Sequence, residues 1–354
     1  MLKTSGVIGG AARIAVALAC AATLAGCAVQ ESGVMSAKAL APLEPGTLAL
    51  MEAKGTSKGA GVLIRSYKKE SELEVWKQVP DGTYVLLRTY PMCRWSGQLG
   101  PKLRMGDRQT PEGFYAVTPG GMNPNSAYYL SFGIGFPNAY DRAWGRTGDS
   151  IMVHGICSSA GCFSMTDGQV REIYALLREA FAGGQRSVQV QSFPFRMTAE
   201  NLAKYRLDPN IAFWRELKHG SDHFEVTRRE VPVGVCGRHY VFAPPKAGGR
   251  LDPVAACPTL AEDGPVEGRV VAKGDRDLTE AAALAAGGTR PVRLVYLDGG
   301  QNPVFAGKFP DVSRPEALAN GPVEVPVPEA SAPIAPVGGR PATAPPPGTA
   351  NFAR

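Results

Sequence analysis

Between Gly61 and Tyr90 the chain carries three short runs, GVLIRSY, ELEVWKQV and TYVLLRTY, rich in β-branched and aromatic residues. The last two are divided by Pro80-Asp81-Gly82, a turn signal, so the segment predicts short strands with a hairpin. The rhythm persists through Phe114–Val117 and Tyr128–Phe132, broken by Gly, Pro or Asn at each turn. A mostly β domain with few helices, an α+β fold, follows from this pattern. The clearest helix starts at Thr166, which makes a capping-box signature with Gln169. Val170, Ile173, Leu176, Leu177, Ala180 and Phe181 then share one face before Gly183-Gly184 stops it. VQVQSFPF, residues 188–195, reads as a closing strand, and 198–205 and 209–217 as two short helices, the second capped by Asp208.

The chemistry concentrates in IMVHGICSSAGCFSM, residues 151–165, where a histidine and a cysteine stand eight residues apart in a glycine-rich turn. A thiol is poorly ionised at neutral pH unless a neighbour takes its proton, so His154 is the natural base for Cys162 as nucleophile. Attack on a carbonyl creates an oxyanion, for which the N–H groups of Gly161 and Cys162 are the candidate donors; glycine lets that backbone approach closely. Two other readings use the same residues. His154, Cys157 and Cys162, spaced H-x2-C-x4-C, could ligate zinc, although a closed site usually shows a second pair; Cys157 could instead pair with Cys162 in a structural disulfide. Serines 158, 159 and 164 lack a G-x-S-x-G elbow, which leaves cysteine the better nucleophile.

At these residues the sequence resembles the L,D-transpeptidase catalytic domain (YkuD type), whose signature is an upstream His followed by a Ser/Thr-His-Gly-Cys run. Here His154-Gly155 and then Ser159-Ala160-Gly161-Cys162 are similar to it. GPKLRMGDRQTPEGFYAVTP, residues 100–119, resembles the family's substrate-strand motif, and FPNAYDRAWGRTGDSIMVHG, residues 136–155, the segment leading to its histidine. The resemblance implies a β-sandwich or barrel catalytic domain with a Cys162 acyl-thioenzyme. It also implies Ser159, and Tyr140, Asp141 and Arg142 just before the histidine, as substrate-groove residues; loop structure is the other reading of the last three. Ala160 stands where the family carries His, Ser164 where an Arg is often found, and the His-to-Cys spacing is short. These departures resemble the periplasmic murein L,D-transpeptidase subgroup, which includes enzymes that detach lipoprotein from peptidoglycan. Peptidoglycan peptide stems are therefore the implied partner and a peptidoglycan-linked lipoprotein a second one, with transfer and hydrolysis both open and no metal or organic cofactor called for. The competing function is a non-catalytic cell-wall binding protein that retains the fold, argued from Ala160 and Ser164; a zinc-thiolate protein is third.

Lys3 and Arg13 flank an apolar run, residues 14–25, too short to cross a bilayer, so residues 1–26 read as a signal peptide. Leu24-Ala25-Gly26-Cys27 resembles the bacterial lipobox, which implies lipid on Cys27, a membrane anchor and a periplasmic or envelope location; simple secretion with Cys27 a spectator is the alternative. Without residues 1–26 the formal charge falls from +6 to +4, since two basic and no acidic side chains are lost. Basic residues are scattered rather than clustered, which excludes nucleic acid as a natural partner. Setting aside Cys20, Cys27 and Cys162, four of the seven cysteines remain. That even number permits two disulfides in an exported protein. Cys236 with Cys257 is the favoured pair, Cys93 with Cys157 the one that would tie the substrate strand to the active-site turn, and connectivity stays open. The expected organisation is a tether over 27–60, a catalytic domain over 61–218, an appended C-terminal β-containing module over 219–312 with one helix at 278–286, and a Pro/Ala-rich disordered tail over 313–354.

Overall fold

The structure, a computed structural model, describes residues 36–261, 264–308 and 312–329. The proposed leader and Cys27 lie outside the described residues. Two sheets share one hydrophobic core that reaches from Ala39 to Tyr296. In the first, β1 (Val62–Tyr67), β2 (Glu72–Gln78) and β3 (Tyr84–Pro91) form the antiparallel meander that the turn signals predict. β4 (Gly113–Val117) and β9 (Val188–Phe193) complete it in the order β3-β2-β1-β9-β4, with β9 parallel to β1. Every residue of β1 and β9 is buried, as central strands covered on both faces require.

The second sheet is built of four very short strands, β5 (Met122–Asn123), β6 (Ser131–Gly133), β7 (Met152–His154) and β8 (Phe163–Ser164), in that order. β7 and β8 are parallel, yet only residues 155–162 connect them. A parallel pair ordinarily needs a crossover of about a dozen residues or more. The short path is made by Ile156, Cys157 and Gly161, at φ +67°, +46° and +132°, and Cys157 is tied to Cys93 at the end of β3 by a disulfide. With α3 (Ala139–Ala143) lying before β7, α4 is Asp167–Ala182, opened by the reciprocal Thr166–Gln169 capping box. Its apolar face, including Ile173, Leu176 and Leu177, packs on β1 of one sheet and on β6 and β7 of the other.

The domain boundaries need correction. Residues 36–60, expected as a tether, carry α1 (Ala37–Leu40) and α2 (Pro45–Ala53), which strap α4: Arg178 donates to the Ala39 and Ala41 carbonyls at 2.6 and 3.0 Å, and Ala39 and Met51 are buried. Helices this short have no periodicity to read; their partners lie more than a hundred residues away. With α5 (Ala199–Lys204) capped by Thr198, the 218/219 boundary falls inside α6 (Ile211–Thr227), whose last turn packs Phe224 edge-on against Trp76 at 5.0 Å. Asp208 does not cap α6; Asn210 precedes it, and the Asp208 carboxylate accepts the Asn210 N–H. A hairpin of β10 (Gly234–Cys236) and β11 (His239–Val241) follows, and a disulfide ties Cys236 in its first strand to Cys257 in the segment beyond. α7 (Pro265–Ala286) is longer than the expected 278–286 and packs on α5 and α6. β12 (Val292–Val295) then pairs with β13 (Val323–Pro326), after α8 (Pro315–Leu318), in residues assigned to the disordered tail. The C-terminal third is thus part of the same core rather than an appendage.

Candidate active site

The register of β7 and β8 assembles the site. Val153 pairs with Phe163 and His154 with Ser164; Val153 and Phe163 are buried at 1 % exposure, so the alternate residues, Met152, His154 and Cys162, share the opposite face. That face lines a cleft of about 400 Å³ with Lys102, Tyr128 and Ala160 at its walls. His154 Nδ1 lies 2.7 Å from the Gly155 carbonyl oxygen. An acceptor there requires the proton on Nδ1 and leaves the Nε2 lone pair as the basic site. The Tyr128 ring tilts over the imidazole at 4.6 Å between centroids. Burial pushes the His154 pKa down, and the Gly155 carbonyl offsets part of that.

Cys162 is half-buried and is the free cysteine among the described residues. Its Sγ receives the Met152 N–H at 3.4 Å and donates to the Ser150 carbonyl at 3.7 Å. Burial pushes the thiol up, while the Met152 N–H and the Lys102 ammonium pull it down. Lys102 is nearly sealed in place, with Asp107 and the Arg104 carbonyl as its acceptors. The first-turn Asp167 of α4 accepts the Ile156 N–H at 3.0 Å. Because Cys157 is spent on Cys93, the alternative Cys157–Cys162 bond is not formed and the H-x2-C-x4-C set loses a ligand.

Ser159 is not a groove residue but the hub of the turn, 3 % exposed. Its Oγ donates to the Cys162 carbonyl at 2.7 Å, accepts the Gly161 N–H at 3.2 Å, and lies 3.0 Å from Ser96 Oγ. The Gly161 N–H is therefore engaged inside the turn rather than directed at the cleft, which corrects its expected role. Thr110 Oγ1 adds a 3.4 Å bond to the Cys162 carbonyl, and no acceptor among the described residues takes the Cys162 N–H. Tyr140, Asp141 and Arg142 fall elsewhere, on α3. Tyr140 stacks on Tyr240 at 4.3 Å, Asp141 closes a capping box with Asn138 and pairs with Arg146 at 2.9 Å, and the Arg142 guanidinium donates to the Pro137 carbonyl. None of the three lines the cleft with Cys162; their adjacency to the histidine is in sequence only. Lys102, Tyr128 and Arg108, unassigned by residue type, are the additions; Lys102 and Arg108 lie inside the 100–119 motif, which was the available signal.

Residues 69–190 match the L,D-transpeptidase catalytic domain (YkuD). Over 198 residues the chain is 42 % identical to YafK of Escherichia coli (strain K12), provisionally assigned as an L,D-transpeptidase, covering 56 % of this chain and 80 % of that protein. The Escherichia coli O157:H7 counterpart gives the same values, 42 % over 198 residues. Among solved structures, the helical cell shape determining protein Pgp2 from Campylobacter jejuni aligns at TM-score 0.32 and 14 % identity, covering 70 % of this chain and 80 % of that one. A point mutant of Pgp2 aligns at TM-score 0.29 and 20 % identity, over 42 % of this chain and 56 % of that one. Bd1075 of Bdellovibrio bacteriovorus aligns at TM-score 0.29 and 20 % identity, over 38 % of this chain and 49 % of that one.

Proposed function

Because the chain belongs to the L,D-transpeptidase family, we propose that it is a cell-envelope cysteine acyltransferase acting on the peptide stems of peptidoglycan. His154 Nε2 takes the Cys162 proton as the sulfur attacks the carbonyl of an L,D bond; the C–N bond breaks, and the imidazolium returns the proton to the departing amine. A thioester on Cys162 remains. An acceptor amine then forms the cross-link, or water hydrolyses the thioester; when the substrate is a stem joined to lipoprotein, the lipoprotein is the departing amine, freed as the thioester forms, and water then releases the stem and restores the thiol. The Cys162 N–H is the donor left over for the oxyanion.

The observation that carries this reading is a free thiol and a histidine with an unengaged Nε2 on one face of β7 and β8, lining one cleft. Lipid on Cys27 would hold the enzyme at the membrane facing its substrate, and fractionation of a Cys27→Ser variant tests that anchor. Incubation with muropeptides followed by mass spectrometry tests the chemistry. Cys162→Ala is expected to abolish turnover, and His154→Ala to slow it about 10²- to 10⁴-fold. Inactive wild-type protein that still binds cell wall would return the chain to the binding-protein reading.

A further inference from the structure

The catalytic turn is held from a distance. The Ser159 N–H donates to Ser313 Oγ at 3.0 Å, and the Ser159 carbonyl accepts from the Arg108 guanidinium at 3.0 Å. Arg108 in turn binds Asp298, which is 4 % exposed, and Ser313 joins that carboxylate through Arg94. Its Oδ2 accepts from Arg108 at 2.7 Å and from Arg94 and Arg314 at 3.2 Å each, while Oδ1 accepts the Gly97 N–H at 3.1 Å. Arg94 also donates to the Ser313 carbonyl at 2.9 Å, so the serine and the carboxylate form one connected cluster. Three guanidiniums on one buried carboxylate are more charge than a simple structural pair needs.

We propose that Asp298 and Ser313 are positioning residues for Cys162, acting through Arg108 and Ser159. The chain of contacts is continuous: Asp298 orients Arg108, Arg108 and Ser313 fix both backbone groups of Ser159, and the Ser159 hydroxyl fixes the Gly161 N–H and the Cys162 carbonyl. A turn squeezed into eight residues with three positive φ angles has no regular hydrogen bonding of its own to hold it. Its geometry is supplied by Arg108 and Ser313, with Asp298 behind them, the last two being residues that local sequence relates least to the thiol.

The proposal rests on Cys162 being the nucleophile, and the test separates the two. In the full-length protein, kcat and KM on muropeptides and the pH profile of Cys162 alkylation by iodoacetamide are measured for wild type, Ser313→Ala, Ser313→Thr and Asp298→Asn, and turnover on muropeptides for Cys162→Ala. Ser313→Ala is expected to lower kcat about tenfold with little change in KM and to alter the alkylation profile, and Asp298→Asn to lower kcat about 10²-fold, the penalty of small misplacements of reacting groups. Ser313→Thr keeps the hydroxyl and is expected to restore most of the rate, which a mere packing role would not predict. If Asp298→Asn fails to fold, the Ser313 pair decides. Loss of turnover in Cys162→Ala together with an unchanged kcat and alkylation profile in Ser313→Ala overturns the brace alone. Turnover surviving in Cys162→Ala overturns the nucleophile, and the brace with it.

Discussion

Burial raises the Cys162 thiol above its ordinary value of 9.0 and lowers the His154 imidazole below 6.5. In the proposed chemistry the two groups would then start as a thiol and a neutral general base. The base works only when unprotonated, so a depressed His154 pKa places the acidic limb of kcat/KM below pH 6.5 and keeps full activity through neutrality. A pH–rate profile on muropeptides with its acidic limb above that value would contradict this. Iodoacetamide, which reacts with the thiolate, is expected to react slowly with Cys162 at pH 7 and to accelerate only in the alkaline range. Lys102 is the cation that pulls the thiol down. Lys102→Met is expected to move that alkaline limb to still higher pH, while Asp107 stays satisfied by the Leu103, Arg104 and Gln109 N–H groups.

The elements around the site do different work from what their nearness in sequence implies. α3 presents a buried stack and a capping box, away from the Cys162 cleft. Asp141→Asn is thus expected to cost about 1–3 kcal/mol through the Arg146 pair and the cap, read by urea denaturation, with KM for muropeptides unchanged; a raised KM would restore Asp141 to substrate binding. α4 is the surface on which both sheets lie, and Leu177 is fully buried in that joint. Leu177→Ala is expected to cost about 2–5 kcal/mol, the usual penalty of a large-to-small change in a packed core.

Across the molecule the C-terminal third is bound to the catalytic part by buried charge as well as by apolar packing. Lys218 pairs with Asp222 and Asp277 at 2.6 Å each, and Lys273 with the same two carboxylates at 3.0 and 2.7 Å, locking α6 to α7. A fragment ending at residue 218 would cut α6 in half and uncover Trp76 where Phe224 covers it. Residues 61–218 alone are expected not to unfold cooperatively in a thermal melt, whereas two independent domains would. The disulfides act at the same level. Opening Cys236–Cys257 is expected to lower stability by about 3 kcal/mol in the chain-entropy account. Cys93–Cys157 leaves Cys162 without a neighbouring thiol to trap it, so turnover is expected to survive mild oxidation.

Strands β1 to β3, the Thr166–Gln169 cap, the apolar face of α4 and the placing of His154 and Cys162 in one turn were legible in order along the chain. Each is a local pattern, and period, turn chemistry and reactive residue type are local quantities. The family resemblance reached the same pair because its motif is contiguous. Contacts between residues far apart in sequence decided the rest. The helices over 36–60 exist against α4, the last turn of α6 against Trp76, and β13 against β12. Tyr140, Asp141 and Arg142 adjoin the histidine in the motif but face another wall of the molecule, while Asp298 and Ser313, more than a hundred residues past the thiol, hold its turn. No window of sequence holds both partners of such a contact; which side chains meet at the turn is set by how the sheets and the C-terminal segment close on one core.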